Sequence, residues 1–241
     1  MNTRLTAITL GLLTLAPVHA QSTDDPPAWA FKLTPSVYSN RSAPQATDVN
    51  LRGNQGPHAL WIGQYSQAGF GEQLRTGYEY TDNPGWGQIV YSLQAAERGF
   101  AGGSVTAQIG HQFYAITGWG RTNLRTYYNL NFDPNDAITL GVGAWLNTQH
   151  QVSMVQIQDD RLQTGQRVTH LVWRYRPDDT HRLTLDLANK RGRGDADGPL
   201  LQGGSVSLTW DWAQYFVRVA LDRKVNFTDD TQKRLSLGWR F

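Results

Sequence analysis

Apolar and polar residues alternate along most of the chain after about residue 30. In the last segment one face carries Leu235, Leu237, Trp239 and Phe241, and the other carries Arg234, Ser236, Gly238 and Arg240. The same alternation recurs in residues 73–80, 182–187 and 205–212. A period of two places alternate side chains on opposite faces of a β-strand. The pattern therefore predicts an all-β chain.

The length of these segments and the aromatic residues favour a membrane barrel over a soluble sandwich, which also alternates. Most segments have about 9 to 11 residues, the length that a tilted strand needs to cross a bilayer. The chain has nine Trp and ten Tyr, and aromatic residues form girdles at membrane interfaces. Those near predicted strand ends are Trp61, Tyr80, Tyr175, Trp212, Tyr215 and Trp239. We predict a transmembrane antiparallel up-and-down β-barrel.

The N-terminus has the layout of a secretory signal peptide. A cation at Arg4 precedes an apolar stretch over residues 5–17, and Val18-His19-Ala20 supplies a small-x-small cleavage site. We predict cleavage after Ala20, a short disordered lead-in over 21–29 and one barrel domain over 30–241. Since no other sustained apolar run exists and the mean hydropathy is −0.49, no transmembrane helix is predicted.

Charge and composition exclude several classes of protein. The chain has 22 Lys and Arg against 20 Asp and Glu, and near neutrality argues against a nucleic-acid binder. The absence of Cys excludes disulfides and thiolate chemistry. No two His residues have strand or helix spacing for a shared metal ion, and no cofactor motif is visible. We therefore expect neither a metal nor a cofactor.

The chain ends on an aromatic residue within a strand. The sequence RLSLGWRF at 234–241 resembles the closing strand of outer-membrane barrels of Gram-negative bacteria. This resemblance implies location in the bacterial outer membrane, contact with lipopolysaccharide and other outer-membrane lipids, and use of Trp239 and Phe241 as the signal read by the barrel-assembly machinery.

If the C-terminus faces the periplasm, short turns belong on that side and longer loops lie outside. Turn-forming sequences such as Asp133-Pro134-Asn135-Asp136 are then periplasmic, and 148–165 and 190–202 are the longest external loops. Counting the segments between these turns and loops predicts 14 strands, or 12 if the first two stay outside the wall. The predicted strands are 30–39, 47–53, 58–67, 72–81, 86–95, 103–110, 112–121, 124–132, 137–147, 166–176, 180–190, 203–212, 215–224 and 232–241.

If the apolar rows face lipid, the opposite rows line a lumen. The predicted lumen cations are Lys32, Arg52, Arg75, Arg125, Arg174, Arg176, Arg182, Arg218, Arg234 and Arg240. The predicted lumen acids are Glu79, Asp186, Asp211 and Asp222. The run Leu60-Trp61-Ile62 breaks the alternation, so the third strand is not assigned a facing. A nearly neutral chain is thus expected to concentrate positive charge inside.

A low-dielectric wall focuses the field of such charges into the pore, and Arg binds carboxylates and phosphates bidentately. We therefore expect a channel for passive diffusion of small polar or anionic solutes. In size, signal peptide and Arg-rich lumen, the chain is similar to the small monomeric porins for acidic sugars, the oligogalacturonate and sialic-acid channels.

Other functions stay open at this stage. The inward Arg residues can simply pair with acids and fill a closed, structural barrel. A barrel enzyme acting on lipid A or phospholipid would need a site on the outer side. There His150 is predicted to lie in a loop with Ser153, Asp159 and Asp160. Nothing shows that these side chains converge, and no enzymatic activity is expected.

The external loop 190–202 suggests two further contacts. Arg193-Gly194-Asp195 is a possible adhesive tripeptide, although a match of three residues arises readily by chance. Lys190, Arg191 and Arg193 are expected at the outer rim, where they could contact lipopolysaccharide phosphates.

Overall fold

The computed structural model describes residues 27–128, 130 and 133–241, which form 14 antiparallel strands closed into one barrel. The predicted fold and strand number are confirmed. The strands are β1 Ala30–Asn40, β2 Ala46–Gln55, β3 His58–Gln67, β4 Gly71–Asp82, β5 Gly87–Ala96, β6 Phe100–Gly110, β7 Phe113–Thr122, β8 Ala137–Trp145, β9 His150–Asp159, β10 Arg167–Tyr175, β11 His181–Gly192, β12 Leu201–Trp212, β13 Tyr215–Arg223 and β14 Thr231–Arg240. The predicted signal peptide and residues 21–26 of the lead-in lie outside the described residues.

Helix is confined to two short 3-10 turns in this part of the chain, Glu97–Gly99 and Val225–Phe227. No helix among the described residues is long and apolar enough to cross a membrane.

The last strand closes the barrel against the first. β14 pairs with both β13 and β1, and Lys32 lies opposite Arg240 in the closing ladder. The backbone N–H of Phe31 donates to the carbonyl of Phe241 at 2.7 Å, and Phe241 donates back at 3.0 Å. The two phenyl rings stack with centroids 5.8 Å apart. The C-terminal residue is therefore part of the seam.

The two ends of the barrel differ in their connections. The end that carries Ala30 and Phe241, here called the turn end, has short connections at 56–57, 83–86, 111–112, 146–149, 176–180 and 213–214. The opposite end, here called the loop end, carries 41–45, 68–70, 97–99, 123–136, 160–166, 193–200 and 224–230. In outer-membrane barrels the short turns face the periplasm.

One turn illustrates how polar side chains fix the turn end. In turn 176–180 the carboxylate of Asp178 accepts hydrogen bonds from the hydroxyl and the backbone N–H of Thr180, at 2.7 and 2.8 Å. His181 donates to the same oxygen through its backbone N–H. These bonds favour the charged carboxylate and hold the pKa of Asp178 well below its usual range.

Two predicted elements are wrong, and the errors cancel in the count. Residues 124–128 and 130, in the predicted strand 124–132, are not in a strand but belong to the connection between β7 and β8 at the loop end. The predicted external loop 148–165 contains β9 instead. The true turn at 146–149 has no Gly or Pro. Asn147 builds it by accepting the backbone N–H groups of Gln149 and His150 through its side chain.

The wall separates an apolar outer face from a polar inner face. The outward rows expose large apolar side chains, as Leu93 at 64%, Val142 at 57% and Leu237 at 53% illustrate. The inward rows are mainly polar and buried or half-buried. In β3, whose facing the sequence left open, the buried row contains Tyr65 and Gln67, so the half-buried Trp61 of that row also faces inward.

Candidate functional site: the barrel lumen

The described residues of the segment between β7 and β8, which are 123–128, 130 and 133–136, fold from the loop end into the barrel and are here called the lumen loop. Two adjacent tyrosines attach it to the wall. The ring of Tyr128 stacks on Tyr65 of β3 with centroids 4.1 Å apart, and the ring of Tyr127 stacks on Phe100 of β6 at 4.2 Å. Tyr127 and Tyr65 are at most 2% exposed. The loop is therefore anchored inside rather than lying over the rim.

The far part of the lumen loop contacts a different side of the wall. The carbonyl of Leu130 accepts from Arg234 of β14 at 3.3 Å. The carboxylate of Asp133 lies 2.9 Å from Nε2 of His170 on β10. Nδ1 of the same imidazole lies 2.9 Å from Asp186 of β11. A segment that contacts β3, β6, β10 and β14 of a closed barrel crosses its interior, so the lumen loop narrows the passage.

The end of the lumen loop is fixed by a buried carboxylate. Asp136, which is 1% exposed, accepts from the hydroxyl of Thr122 at 2.6 Å and from Arg161 at 2.9 Å. The neighbouring Asp159 accepts the backbone N–H groups of Leu162 and Thr164. The contacts of Asp136 join the end of the lumen loop to the end of β7 and to loop 160–166.

The loop-end half of the lumen also contains two buried ion pairs. Arg75 pairs with Asp48, with side chains 5% and 6% exposed, and Lys190 pairs with Asp222 at 2% and 9%. Buried pairs of this kind leave little free charge for a solute. The charges of these four side chains are therefore largely neutralised by one another.

The turn-end half is different, because its cations outnumber its acids. We call the set Lys32, Arg174, Arg182, Arg218 and Arg240 the basic cluster. All five lie on inward rows of β10, β11, β13, β14 and β1, which are contiguous in the wall except for β12. Among the described residues one carboxylate, that of Asp211 on β12, forms ion pairs with the cluster. It pairs with Arg182 at 3.1 Å and with Arg240.

The remaining cluster contacts are to neutral groups. Nε of Arg218 donates to the hydroxyl of Thr209 at 2.9 Å, and Arg174 donates to the side-chain oxygen of Gln151 at 2.9 Å. Nζ of Lys32 lies 5.9 Å from the centre of the Phe216 ring. Neutral partners orient these cations without cancelling their charge, and each side chain is only partly buried.

The positive charge lies on one side of the lumen. Beside the cluster, Arg52 and Glu79 form their own pair at 2.6 Å. In the described part of the opposite wall, the inward rows of β5 to β8 contain no charged residue. Their polar and glycine positions are Gln88, Ser92, Gln94, Gly102, Ser104, Thr106, Gln108, Gly110, Gly118, Gly120, Thr122, Thr139, Gly141 and Gly143. A solute in the turn-end half would meet cations on one side and neutral hydrogen-bonding groups on the other.

Most of the predicted lumen residues lie on inward rows of the wall. These are Lys32, Arg52, Arg75, Arg174, Arg182, Arg218, Arg234, Arg240, Glu79, Asp186, Asp211 and Asp222. The placement of Arg125 and Arg176 in wall strands is wrong. Arg125 is an exposed residue of the lumen loop, and Arg176 follows the end of β10 in turn 176–180. The first error comes from a predicted strand that is not formed, and the second from a strand end placed one residue too far.

The sequence prediction of the lumen omitted several polar residues, among them Asp48, Lys190, His170 and Asp133. Asp48 and Lys190 lie near strand ends but on inward rows, and both form buried pairs. His170 lies on the same row of β10 as Arg174, so the alternation of the strand predicts that it faces inward. Asp133 was not identifiable, because it enters the lumen from a loop that resembled a strand followed by a turn.

The enzyme arrangement suggested by the sequence does not form. His150 begins β9 at the turn end and Asp159 ends the same strand at the loop end. At about 3.3 Å per residue they lie roughly 30 Å apart. Ser153 is buried on the inward row, and the ring of His150 stacks on Tyr175 with centroids 4.6 Å apart. His150, Ser153, Asp159 and Asp160 therefore cannot act together.

The barrel is similar to solved outer-membrane proteins. It matches the outer membrane protein Omp33 of Acinetobacter baumannii at 8% identity with a TM-score of 0.57, over 88% of this chain and 98% of that chain. A mutant of the Rh. blastica porin matches at 7% identity with a TM-score of 0.51, over 89% and 99% of the two chains. The KdgM porin aligns at 8% identity with a TM-score of 0.48, over 87% and 99%.

No protein-family model and no curated protein sequence matches the chain. The similarity is thus one of backbone architecture. The chain has the fold of the outer-membrane porins, a closed antiparallel β-barrel.

Proposed function

We propose that the protein is an outer-membrane channel for the passive diffusion of small anionic solutes. The observation that carries this proposal is the basic cluster, five cations with one carboxylate partner on one side of the turn-end half of the lumen. The proposal includes export by the predicted signal peptide, removed after Ala20, and insertion by the barrel-assembly machinery through the strand that ends in Trp239 and Phe241.

The basic cluster has the chemistry that anion selectivity requires. Cations on a low-dielectric wall raise the local concentration of anions and lower that of cations. Guanidinium groups whose partners are Thr209 and Gln151 retain donors for a carboxylate or phosphate. The neutral opposite wall allows a bound anion to leave again, which conduction requires. Solutes that combine an acidic group with hydroxyls fit both walls.

The lumen loop supports a second candidate, a structural barrel with a closed lumen. It crosses the interior, and the pairs of Arg75 with Asp48 and of Lys190 with Asp222 fill the space around it. The two candidates differ in whether a path remains beside the loop. A variant chain in which a short Gly-Ser linker replaces residues 125–133 distinguishes the two candidates, because its conductance can be compared with that of the unmodified chain.

Planar-bilayer recording of the refolded mature chain tests the channel proposal. With a salt gradient across the bilayer, the reversal potential should show anion preference. The double variant Arg174→Gln with Arg218→Gln should move it toward zero. Arg223→Gln is the matched control, since Arg223 is an exposed residue on the outward row of the same strand as Arg218. The control should keep the selectivity of the unmodified chain.

The possible outcomes are distinct. Anion preference that is lost in the double variant and kept in Arg223→Gln supports the proposal. Channels without anion preference refute the role of the basic cluster. No conductance in the unmodified chain, together with conductance in the loop-replaced chain, favours the closed structural barrel.

A further inference from the structure

Two arginines lie directly opposite each other on the outer face of the barrel. Arg167 at the start of β10 is the register partner of Arg191 near the end of β11. Each shares its row with an outward leucine: Leu171 on β10 is 52% exposed, and Leu187 on β11 is 42% exposed. Both arginines are exposed. They therefore face away from the lumen, at the loop end.

This arrangement is unfavourable unless an anion joins the two side chains. Directly opposed residues of antiparallel strands have Cβ atoms about 4.5 to 5.5 Å apart, and like charges there destabilise the pair. Among the described residues no ion pair joins either arginine to a carboxylate. The guanidinium of Arg167 instead donates to Gln158 on β9, on the side away from Arg191, at 3.2 Å.

The pair lies at a specific depth. Arg167 is four positions from Leu171, so it lies about 13 Å farther along β10 toward the loop end at 3.3 Å per residue. The exposed leucines mark the apolar band of the outer face, and the two arginines lie at its edge. In a membrane, this is the level of the lipid headgroups.

We propose that Arg167 and Arg191 together bind a phosphate group of a phosphorylated lipid in the outer leaflet. This inference rests on the outer-membrane location in the proposed function, and on nothing about conduction. One phosphate accepts bidentate hydrogen bonds from guanidinium groups and carries enough negative charge to offset the repulsion between them. The lipid's acyl chains then cover the exposed leucines below. The site differs from the expected rim contacts, because Lys190 faces inward and pairs with Asp222.

Lipid binding to the folded, full mature chain in zwitterionic detergent tests the proposal. Native mass spectrometry with lipid A that carries both phosphates should show a bound lipid. The double variant Arg167→Gln with Arg191→Gln should bind it about tenfold or more weakly. Lys233→Gln is the matched control, since Lys233 is an exposed cation of β14 that lies opposite Leu221 rather than another cation. The control should bind like the unmodified chain.

A second measurement uses the repulsion itself. Without lipid, Arg191→Gln should raise the Tm, since it removes a like-charge pair. With phosphorylated lipid A, the unmodified chain should gain more Tm than this variant does. Boiled and unboiled gel mobility confirms that each variant is folded.

Three results would overturn the proposal. Equal weakening by Lys233→Gln would show general surface charge instead of a site. Equal binding of dephosphorylated lipid A would show that the phosphate is not recognised. Stabilisation by inorganic phosphate alone to the same extent as by lipid A would make the pair a site for free phosphate. None of these results depends on conductance, so the channel proposal can fail or hold separately.

Discussion

Replacing His170 by leucine should release the far part of the lumen loop while the barrel stays closed. The imidazole lies between two carboxylates, with 2.9 Å separating Nε2 from Asp133 and Nδ1 from Asp186. Its side chain is 14% exposed. Leucine is of similar size and leaves both carboxylates without this partner. The strand ladders on either side of β10 do not depend on the imidazole.

The free-energy cost of His170→Leu follows from the burial of the contact between His170 and the two carboxylates. Removing one partner of a buried ion pair costs about 3 to 5 kcal/mol, because the remaining charge stays desolvated. Release of the loop lets Asp133 reach water and recovers much of this cost. Since about 1.4 kcal/mol corresponds to a factor of ten, the ratio of released to docked loop should rise by roughly 100-fold or more. The ring stacks of Tyr127 and Tyr128 should keep the near part of the loop attached.

A single introduced thiol can measure this ratio, because the chain has no Cys. Asn135 is 5% exposed, and its side-chain amide makes no hydrogen bond within the described residues. Asn135→Cys therefore places a buried thiol in the lumen loop at little cost. The rate of maleimide labelling reports how often the loop opens. It should rise by about the same factor, roughly 100-fold, in the His170→Leu background.

The control is His150→Leu, since His150 stacks on Tyr175 far from the lumen loop. It should leave the labelling rate unchanged. Adding Asp133→Asn to His170→Leu should restore slow labelling in part, because a neutral amide is less costly to bury than a carboxylate. Equal labelling in the His170→Leu and unmodified backgrounds would refute the idea that this imidazole holds the loop.

Two further predictions concern the wall. Asp48→Asn should lower the free energy of unfolding by about 3 kcal/mol or more, because it leaves the buried Arg75 without its carboxylate. Asp229→Asn, in a pair whose acid is 81% exposed, should cost less than about 1 kcal/mol, and equal denaturant midpoints would contradict the difference. Gly238→Val should sharply reduce the yield of heat-modifiable barrel, since any Cβ there meets the ring of Phe216. Gly85→Ala, whose Cβ would meet nothing within 4 Å, should refold normally, and normal refolding of both would refute the packing argument.

The facing of the inward side chains can be predicted from the local pattern wherever the strand itself is identified. Arg218, Arg234 and Arg240 lie on inward rows of β13 and β14, since a strand's period of two fixes which face each residue occupies once one face is known to be apolar. The same rule would have placed His170. The rule does not apply outside a strand: Arg125 lies in a segment that is not a strand, and Arg176 follows the end of β10.

The sequence alone predicts the all-β class and the alternation of apolar and polar faces, because both depend on a pattern that is local. The strand number also agrees, but only because one strand too many at 124–132 offsets the missed strand β9. The local pattern does not show that the described residues of the lumen loop leave the wall and fold into the barrel. That choice depends on partners far along the chain, such as Tyr65, Phe100 and His170, which approach the loop only when the barrel is closed. The tertiary structure also determines which lumen cations form an ion pair with a carboxylate. Strand register and the curvature of the wall bring Asp48 to Arg75, and they bring no carboxylate among the described residues into an ion pair with Arg174 or Arg218.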